Sequence, residues 1–217
     1  MSKLSKRLQT IANLVGGDIV SDIGCDHGKL AEYLLENKIV KKMIVSDISA
    51  PSLQKAIDLL GVGNYAFEAI CCDGLKGYNN KQIDQCIISG MGGDEIMQII
   101  SNSPIQIRSF ILSPQHNNIE VKKFMLNVGY NIDYDIIVKD KCKFYNIFRC
   151  NKGDHVSTFN DFDLLFGKDN FISQDSDIHE FVDYETGKLE KLFSSQDIKN
   201  EQLQQYFQLL KEYSKRK

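Results

Sequence analysis

The segment Asp-Ile-Gly-Cys-Asp-His-Gly at residues 22–28 constrains the fold of this chain more than any other feature of the sequence. It follows a short apolar run, Ile19-Val20, and it precedes a helix-compatible run that begins at Lys29. An apolar strand, a glycine-containing turn and a helix in this order are typical of the first crossover of a Rossmann-like α/β fold. The sequence therefore predicts that a ligand binds where this strand ends.

The rest of the first 150 residues alternates short apolar runs with amphipathic ones. We predict strands at 19–22, 42–47, 65–71, 85–89 and 109–113, and helices at 3–15, 28–37, 50–60, 94–101 and 118–127. Two further strands, at 132–138 and 144–150, form a predicted hairpin. Repeated strand–helix units imply a parallel sheet covered on both faces by helices. A parallel sheet that ends in a hairpin predicts the Rossmann-like fold of class I S-adenosylmethionine-dependent methyltransferases.

The remaining residues predict a C-terminal helical hairpin of coiled-coil type. Apolar side chains between 181 and 193 indicate one helix, and those between 203 and 210 indicate a second. A polar, Asp-rich stretch at 151–178 precedes them. The chain is thus expected to divide into a catalytic domain at 1–152 and a helical extension at 153–217.

Composition argues against several classes of protein. No run approaches the roughly 18 apolar residues that a membrane span needs, and the first residues lack the apolar segment of a secretory signal. Six cysteines form neither a CxxC pair nor a regular framework, so we expect reduced thiols, no metal site and a cytoplasmic protein. A net charge of −3 does not by itself indicate a nucleic-acid-binding protein.

Acidic residues and glycines occupy successive predicted strand ends, where open α/β sheets bind their ligands. The acidic start and glycine spacing of the first turn suit S-adenosylmethionine better than a dinucleotide. Gly24 and Gly28 are expected to let the backbone approach the methionine part of that cofactor. Asp47, which follows Asp22 by 25 residues, is expected to bind the ribose hydroxyls, and Asp73 the adenine amino group. The predicted cofactor contacts are Asp22, Gly24, Cys25, His27, Gly28, Asp47, Ile48, Asp73, Gly74, Ser89, Gly90, Met91 and Gly92.

Asp26 is the predicted catalytic residue, because it places a carboxylate beside the bound methyl donor where many such loops carry another glycine. The alternative is a loop acid that accepts hydrogen bonds from backbone amides. Three roles stay open for His27: a loop histidine, a contact to the cofactor carboxylate, or orientation of Asp26. The loop at 89–93 is expected to form the floor on which the methyl-accepting base rests.

These motifs resemble those of the bacterial tRNA adenine-N1 methyltransferases that act on position 22 of the tRNA. The matching segments are Leu-Ser-Lys-Arg-Leu-Gln-Thr at 4–10, residues 22–27 and Gly-Met-Gly-Gly at 90–93. Residues 164–167 also resemble the segment that begins the C-terminal extension of this family. Cys25 replaces the usual serine, and Ser-Pro-Gln at 113–115 replaces the common Gln-Pro-Asn, so that Gln115 is the candidate substitute.

The resemblance implies methyl transfer to adenine N1 of tRNA by a protein that we expect to be a monomer. Adenine N1 carries a lone pair, so no strong base is required, and Asp26 is expected to stabilise the positive charge that develops on the purine. The predicted RNA contacts are Lys3, Lys6, Arg7, Gly93, Gln115, Lys188, Lys191, Lys211 and Lys215. Aromatic residues of the helical hairpin are expected to pack in its core.

Two alternatives remain. One is a methyltransferase of another RNA or of a small molecule. The other is a non-catalytic protein that binds the cofactor or RNA.

Overall fold

The computed structural model describes residues 3–153, 159–170, 176–195 and 200–215 of the 217-residue chain. Within these ranges, seven strands form one sheet. They are β1 (Ile19–Ile23), β2 (Lys42–Asp47), β3 (Phe67–Cys71), β4 (Gln85–Ser89), β5 (Ser109–Ser113), β6 (Tyr130–Asp140) and β7 (Lys143–Lys152). The strand order is β3-β2-β1-β4-β5-β7-β6. The first five strands are parallel, and β7 runs antiparallel to both of its neighbours. The predicted parallel sheet with a terminal hairpin is confirmed.

Helices cover both faces of the sheet. They are α1 (Lys6–Leu14), α2 (Lys29–Glu36), α3 (Ala50–Val62), α4 (Gly93–Ser101) and α5 (Asn118–Asn127), followed by α6 (Asp161–Phe166), α7 (Ser176–Ser195) and α8 (Glu201–Lys215). The first three helices share one apolar core with one face of the sheet, and α4 and α5 share a second core with the other face. The chain moves from β1 toward one edge of the sheet and from β4 toward the other edge, so the strand order reverses between β1 and β4. Ligands of such sheets bind at the carboxyl ends of the strands at this switch point.

Local signals explain where the predicted boundaries of the helices differ from the observed ones. Helix α1 begins at Lys6 rather than at residue 3, because the side chain of Ser5 caps it by accepting a hydrogen bond from the amide of Leu8. Helix α3 continues through Gly61 to Val62, so the predicted stop at that glycine is wrong. A glycine lowers helix stability but does not end a helix whose apolar face is packed.

Helix α6 lies in the polar, Asp-rich stretch at 151–178, for which the sequence analysis predicts no helix or strand. Asn160 and Asp163 form a capping box at its start. Phe162 and Phe166 then pack with Tyr213 of α8. Six residues are too few to show a helical period, although four of the six are buried.

The predicted C-terminal helical hairpin is confirmed by α7 and α8, which pack on each other, with α7 also packing on β6. We call the contact between α7 and β6 the seam. A buried ion pair lies close to it, with Lys122 Nζ 2.6 Å from Asp135 Oδ2. Lys122 also donates a hydrogen bond to the carbonyl of Leu164, at 2.7 Å. Burial raises the pKa of Asp135, and the ammonium of Lys122 opposes that rise. The division into domains at residue 152 stays a prediction.

Three general features concern the expected environment of the protein. No helix among the described residues is long and apolar enough to cross a bilayer. The same part of the chain contains no group of three or more His, Cys, Asp or Glu side chains suited to a metal ion. All six cysteines are free thiols.

Candidate active site

A cleft of about 490 Å³ opens at the carboxyl ends of β1 and β4, and we call it the β1–β4 cleft. It lies at the switch point of the sheet, as the strand order requires. Its walls come from helix α1, the β1–α2 loop and the β4–α4 loop. The residues that line it include Arg7, Asp22, Gly24, Cys25, Asp26, His27, Ser89, Gly90 and Gln115.

The β1–α2 loop turns sharply at Gly24, which has φ = +70°. The backbone amides of Gly24 and Cys25 both donate to the carbonyl of Ser46, at 2.8 and 3.0 Å, and these bonds attach the loop to β2. A Cβ atom on Gly24 would collide with the terminal methyl of Met91. The left-handed backbone favours glycine here, whereas the flexible end of Met91 could move away from a side chain.

Gly28 has a packing role that the sequence does not reveal. It lies at the start of α2 with φ = +71°, and a Cβ atom there would approach the Cβ of Ala56 in α3 to 2.9 Å. The missing side chain lets two helices pack closely, and Gly28 is not among the residues that line the β1–β4 cleft. Its contact with a cofactor stays a prediction.

Asp26 presents an accessible carboxylate on a constrained backbone. Its φ is +48°, a conformation that aspartate tolerates better than most residues. Its side chain is 70% exposed, and one carboxylate oxygen lies 3.6 Å from Nε2 of His27. The carboxylate thus faces an imidazole rather than the amides of its own loop, and of the three roles left open for His27 this geometry favours orientation of Asp26.

Two further carboxylates lie near Asp26, of which Asp22 lines the β1–β4 cleft and Asp47 does not. Asp22 is buried at the end of β1, and this burial raises its pKa to about 7, although Arg7 lowers the pKa and Asp47 raises it further. Asp47 is held by two backbone amides, with Ser49 donating at 2.8 Å and Asp26 at 3.3 Å. A buried carboxyl group with a strongly raised pKa in a cleft is a frequent mark of a functional site.

Arg7 lies inside the β1–β4 cleft, although the sequence analysis assigns it to RNA. Its guanidinium carbon lies 4.8 Å from the ring centroid of Tyr145. A Cβ atom on Gly90 would lie 3.7 Å from Nη1 of Arg7. Helix α1 therefore brings a positive charge next to Asp22 and the β4–α4 loop.

The β4–α4 loop is packed tightly against the segment that follows β5. A Cβ atom on Gly92 would lie 2.8 Å from Nε2 of His116, and one on Gly93 would lie 2.7 Å from the carbonyl oxygen of His116. Gln115 fixes the same loop, because its amide donates to the carbonyl of Met91 at 2.9 Å and its side chain donates to that of Gly90. Ser89 and Gly90 are the residues of this loop that line the β1–β4 cleft.

Comparison with known proteins decides the family. Residues 4–148 match the family model described as a methyltransferase domain. A Mycoplasma pneumoniae protein, named provisionally as a tRNA methyltransferase, is 33% identical over 154 residues, which cover 69% of this chain and 72% of the relative. The chain belongs to this methyltransferase family. The family membership predicted from the sequence is confirmed.

Solved structures show that the fold is shared along nearly the whole chain. TrmK of M. capricolum, in complex with S-adenosylhomocysteine, has a TM-score of 0.86 at 23% identity, with 97% of each chain covered. The m1A22 tRNA methyltransferase TrmK of B. subtilis has a TM-score of 0.80 at 24% identity, covering 98% of this chain and 99% of that one. This coverage includes the C-terminal helices as well as the methyltransferase sheet.

Several predicted cofactor contacts of this methyltransferase lie outside the β1–β4 cleft. Asp73 forms an ion pair with Lys76 at 2.5 Å and lines a separate cavity of about 100 Å³. Gly74 packs against Ile99, and Ile48 is 72% exposed. Cys25 lines the cleft, but burial raises the pKa of its thiol far above the usual range. A thiol that does not ionise is a poor nucleophile.

The predicted RNA contacts lie at several separate places on the surface. Lys6 forms an ion pair with Asp177 of α7 at 2.5 Å, which links the first helix to the C-terminal helices. Lys188 lies 3.6 Å from Glu185, and Lys211 lies 4.0 Å from the ring centroid of Phe207. The remaining lysines, Lys3, Lys191 and Lys215, are exposed. Their contacts with RNA stay predictions.

His116 packs against the β4–α4 loop, a contact that the sequence does not predict. It is exposed beside the two glycines that begin α4. The available signal is its position immediately after Gln115 in a polar loop that follows β5. Loops after parallel strands carry ligand contacts more often than other loops do.

Proposed function

We propose that this protein transfers the methyl group of S-adenosylmethionine to N1 of adenine 22 in tRNA. The observation that carries the proposal is the accessible carboxylate of Asp26, held beside His27 in a cleft at the switch point of a methyltransferase sheet. The relatives support the substrate, since the M. pneumoniae protein is named as a tRNA methyltransferase and the B. subtilis structure as an m1A22 tRNA methyltransferase.

The residues of the β1–β4 cleft fit the cofactor. Gly24 and Gly90, both with positive φ, leave space for close approach to the backbone. Asp47 is oriented by two amides and suits ribose hydroxyls. Arg7 and Asp22 supply a cation and an acid, the pair that complements the carboxylate and ammonium of an amino acid. We therefore assign Arg7 to the cofactor rather than to RNA. S-adenosylmethionine supplies an electrophilic methyl group on a sulfonium.

The residues around Asp26 act on the accepting base. Adenine N1 attacks with its own lone pair, and the purine becomes positively charged as the new bond forms. The carboxylate of Asp26 stabilises this charge and accepts a hydrogen bond from the exocyclic amine. The imidazole of His27 lies 3.6 Å from this carboxylate, a distance from which it attracts the carboxylate when it carries a proton. The glycine loop at 89–93, fixed by Gln115, supports the ring.

The position of N1 on the Watson–Crick edge requires that the base leaves its pairing before it reacts. Unstacking and unpairing cost a few kcal/mol, and binding must supply this energy. The protein therefore needs contacts with RNA beyond the reacting base. Mildly acidic overall charge limits what phosphate contacts alone can contribute.

The test is methyl transfer from labelled S-adenosylmethionine to two tRNA transcripts that differ only in carrying adenine or guanine at position 22. We expect label on the adenine transcript alone and a primer-extension stop at that base, because N1 methylation blocks pairing. Label on both transcripts, or a stop elsewhere, would indicate another methyl-accepting site. Calorimetry with S-adenosylhomocysteine is the control, since binding without transfer would indicate a non-catalytic protein.

A further inference from the structure

A second cleft, of about 470 Å³, lies between the β6–β7 hairpin, the first turn of α5 and the helices α7 and α8. We call it the aromatic cleft. Its volume falls within the range of about 300–1,000 Å³ that is usual for small-ligand sites. The side chains that matter here are Gln115, Asn118, Phe144, Asn146, Phe181 and Tyr184.

One wall of the aromatic cleft is made of three rings. Phe144 lies 5.5 Å from Phe181 in an edge-to-face arrangement and 5.8 Å from Tyr184, measured between ring centroids. Tyr184 is 58% exposed, which departs from the expectation that the aromatic residues of the hairpin pack in its core. Phe144 and Phe181 are half-buried and support the exposed ring, and an exposed aromatic ring is a common platform for stacking an unpaired base.

Two polar atoms in the same cleft need a hydrogen-bond donor. Asn146 is 7% exposed, and its Nδ2 donates to Asp135 at 3.3 Å and to the carbonyl of Ile136 at 3.4 Å. Its Oδ1 is buried and accepts no hydrogen bond from the described residues, and the same holds for Oδ1 of Asn118. A buried acceptor without a donor is destabilising. Neither atom is accessible to solvent, so an amino group in the cleft can satisfy these acceptors only when the amide side chains turn toward it.

The charges that line the aromatic cleft favour a base over a phosphate. Glu120 and Glu185 both contribute to its walls, and Lys143 is the cation among the lining residues. Carboxylates repel a phosphate but accept hydrogen bonds from the amino groups of adenine, guanine or cytosine. The combination of rings, amide oxygens and carboxylates therefore suits the flat, amino-bearing part of a nucleotide.

The aromatic cleft adjoins the β1–β4 cleft through a single residue. Gln115 lines both clefts, and its side chain is bonded to the floor of the first one. The two clefts are therefore neighbours on the surface of the protein.

We propose that the aromatic cleft binds an unpaired nucleobase of the RNA substrate, next to the methylated one, by stacking it on Tyr184 and hydrogen-bonding it to Asn118 and Asn146. This proposal rests on the proposed function in that the substrate is RNA. It gives the C-terminal helices a direct part in holding the strand open after the target adenine has left its pairing.

The test compares Tyr184→Ala with Tyr184→Phe, which keeps the ring. We expect Tyr184→Ala to raise KM for tRNA by roughly 5- to 100-fold, the loss expected for one stacked base. In the same variant, kcat and the affinity for S-adenosylhomocysteine should stay within about twofold. Tyr184→Phe and the exposed control Val62→Ala should resemble the wild type. Val62 is 90% exposed at the end of α3.

A fluorescence measurement on the wild-type protein separates this proposal from the proposed function. 2-Aminopurine is placed in turn at each nucleotide that flanks adenine 22, and stacking on Tyr184 should quench one of these positions. The quench should be lost in Tyr184→Ala and kept in Tyr184→Phe. An unchanged KM, or the same fluorescence in the alanine variant as in the wild type, would overturn the proposal. Absence of methyl transfer by the wild type would overturn the proposed function instead.

Discussion

The β1–β4 cleft and the aromatic cleft have nearly equal volumes, about 490 and 470 Å³, and share Gln115, but they are built in different ways. The first is built around the loops that follow β1 and β4, with glycines at positive φ and carboxylates close to them in the sequence. The second is made of side chains from β7, α5 and α7 that are far apart in the sequence. A reaction requires catalytic groups at fixed positions, and short contiguous sequence motifs can set the loop geometry that holds them. A recognition surface can instead be formed by side chains that tertiary packing brings together.

The two clefts also depend on different supports. The β1–β4 cleft is bonded to the central strands through Ser46. The aromatic cleft depends on the seam around Asp135, which accepts a hydrogen bond from Asn146 and forms the buried ion pair with Lys122. Damage to the seam should therefore affect the second cleft before the first.

The largest effect is expected from Lys122→Met, which leaves Asp135 buried without its partner. We expect the free energy of unfolding, measured in urea, to fall by about 3–5 kcal/mol. The double variant Lys122→Met/Asp135→Leu should recover most of this loss, because it removes both charges. A loss below about 1 kcal/mol in the single variant would show that the ion pair does not support the seam.

Asp26→Asn should leave the fold intact and lower kcat by roughly 100- to 1,000-fold, the usual effect of removing one preorganised electrostatic contact. Asparagine tolerates the left-handed backbone, so strain does not complicate the result. The affinity for S-adenosylhomocysteine, measured by calorimetry, should change less than about threefold. Turnover close to that of the wild type would remove Asp26 from the mechanism.

The contrast between the clefts explains what the sequence could predict. The strand ends at Asp22 and Asp47, the glycine turn at Gly24 and the loop at 89–93 all lie where the pattern places them. The spacing is not sufficient to distinguish a glycine that faces a ligand from one that faces a helix, and Gly28 packs against Ala56.

Other features were not predictable because they depend on tertiary packing. Arg7 enters the β1–β4 cleft because α1 packs over the sheet, and a basic residue near the start of the chain looks the same whether it faces RNA or a cofactor. Tyr184 fits the apolar pattern of its helix, yet it is exposed next to Phe144. The apolar pattern predicts the helix, but it does not predict which residues each side chain contacts in the folded protein.

Asp22 should make the stability of the protein depend on pH. Its pKa is about 7 in the folded protein and about 3.9 in an unfolded chain, so between these values the folded state holds a proton that the unfolded state releases. The free energy of unfolding therefore falls as pH rises from about 4 to about 7. Above this range, ionisation of Asp22 lowers it no further.

Asp22→Asn removes this titration. At each pH, urea unfolding gives the difference in the free energy of unfolding between the variant and the wild type. This difference should favour the variant by about 2–4 kcal/mol more at pH 8 than at pH 4. The other titrating groups are common to both proteins and cancel in this difference. An equal difference between variant and wild type at the two pH values would contradict the raised pKa of Asp22.

The smallest effect is expected from Gln115→Ala, which removes the side-chain hydrogen bond to Gly90 at the boundary between the clefts. Loss of one such bond costs about 1 kcal/mol, or roughly a fivefold drop in kcat/KM for tRNA. Gln115→Asn, which restores the residue that is common in the family, is the matched control. A drop of a hundredfold would instead give Gln115 a part in the chemical step.

The most direct test of this division of work is to measure kcat and KM for the same tRNA with Asp26→Asn and Tyr184→Ala in parallel. Asp26→Asn should lower kcat with little change in KM, and Tyr184→Ala should raise KM with little change in kcat. That result would show that one cleft carries out the reaction while the other holds the RNA. A fall in kcat with unchanged KM in both variants would contradict the account, because the two clefts would then act as a single site.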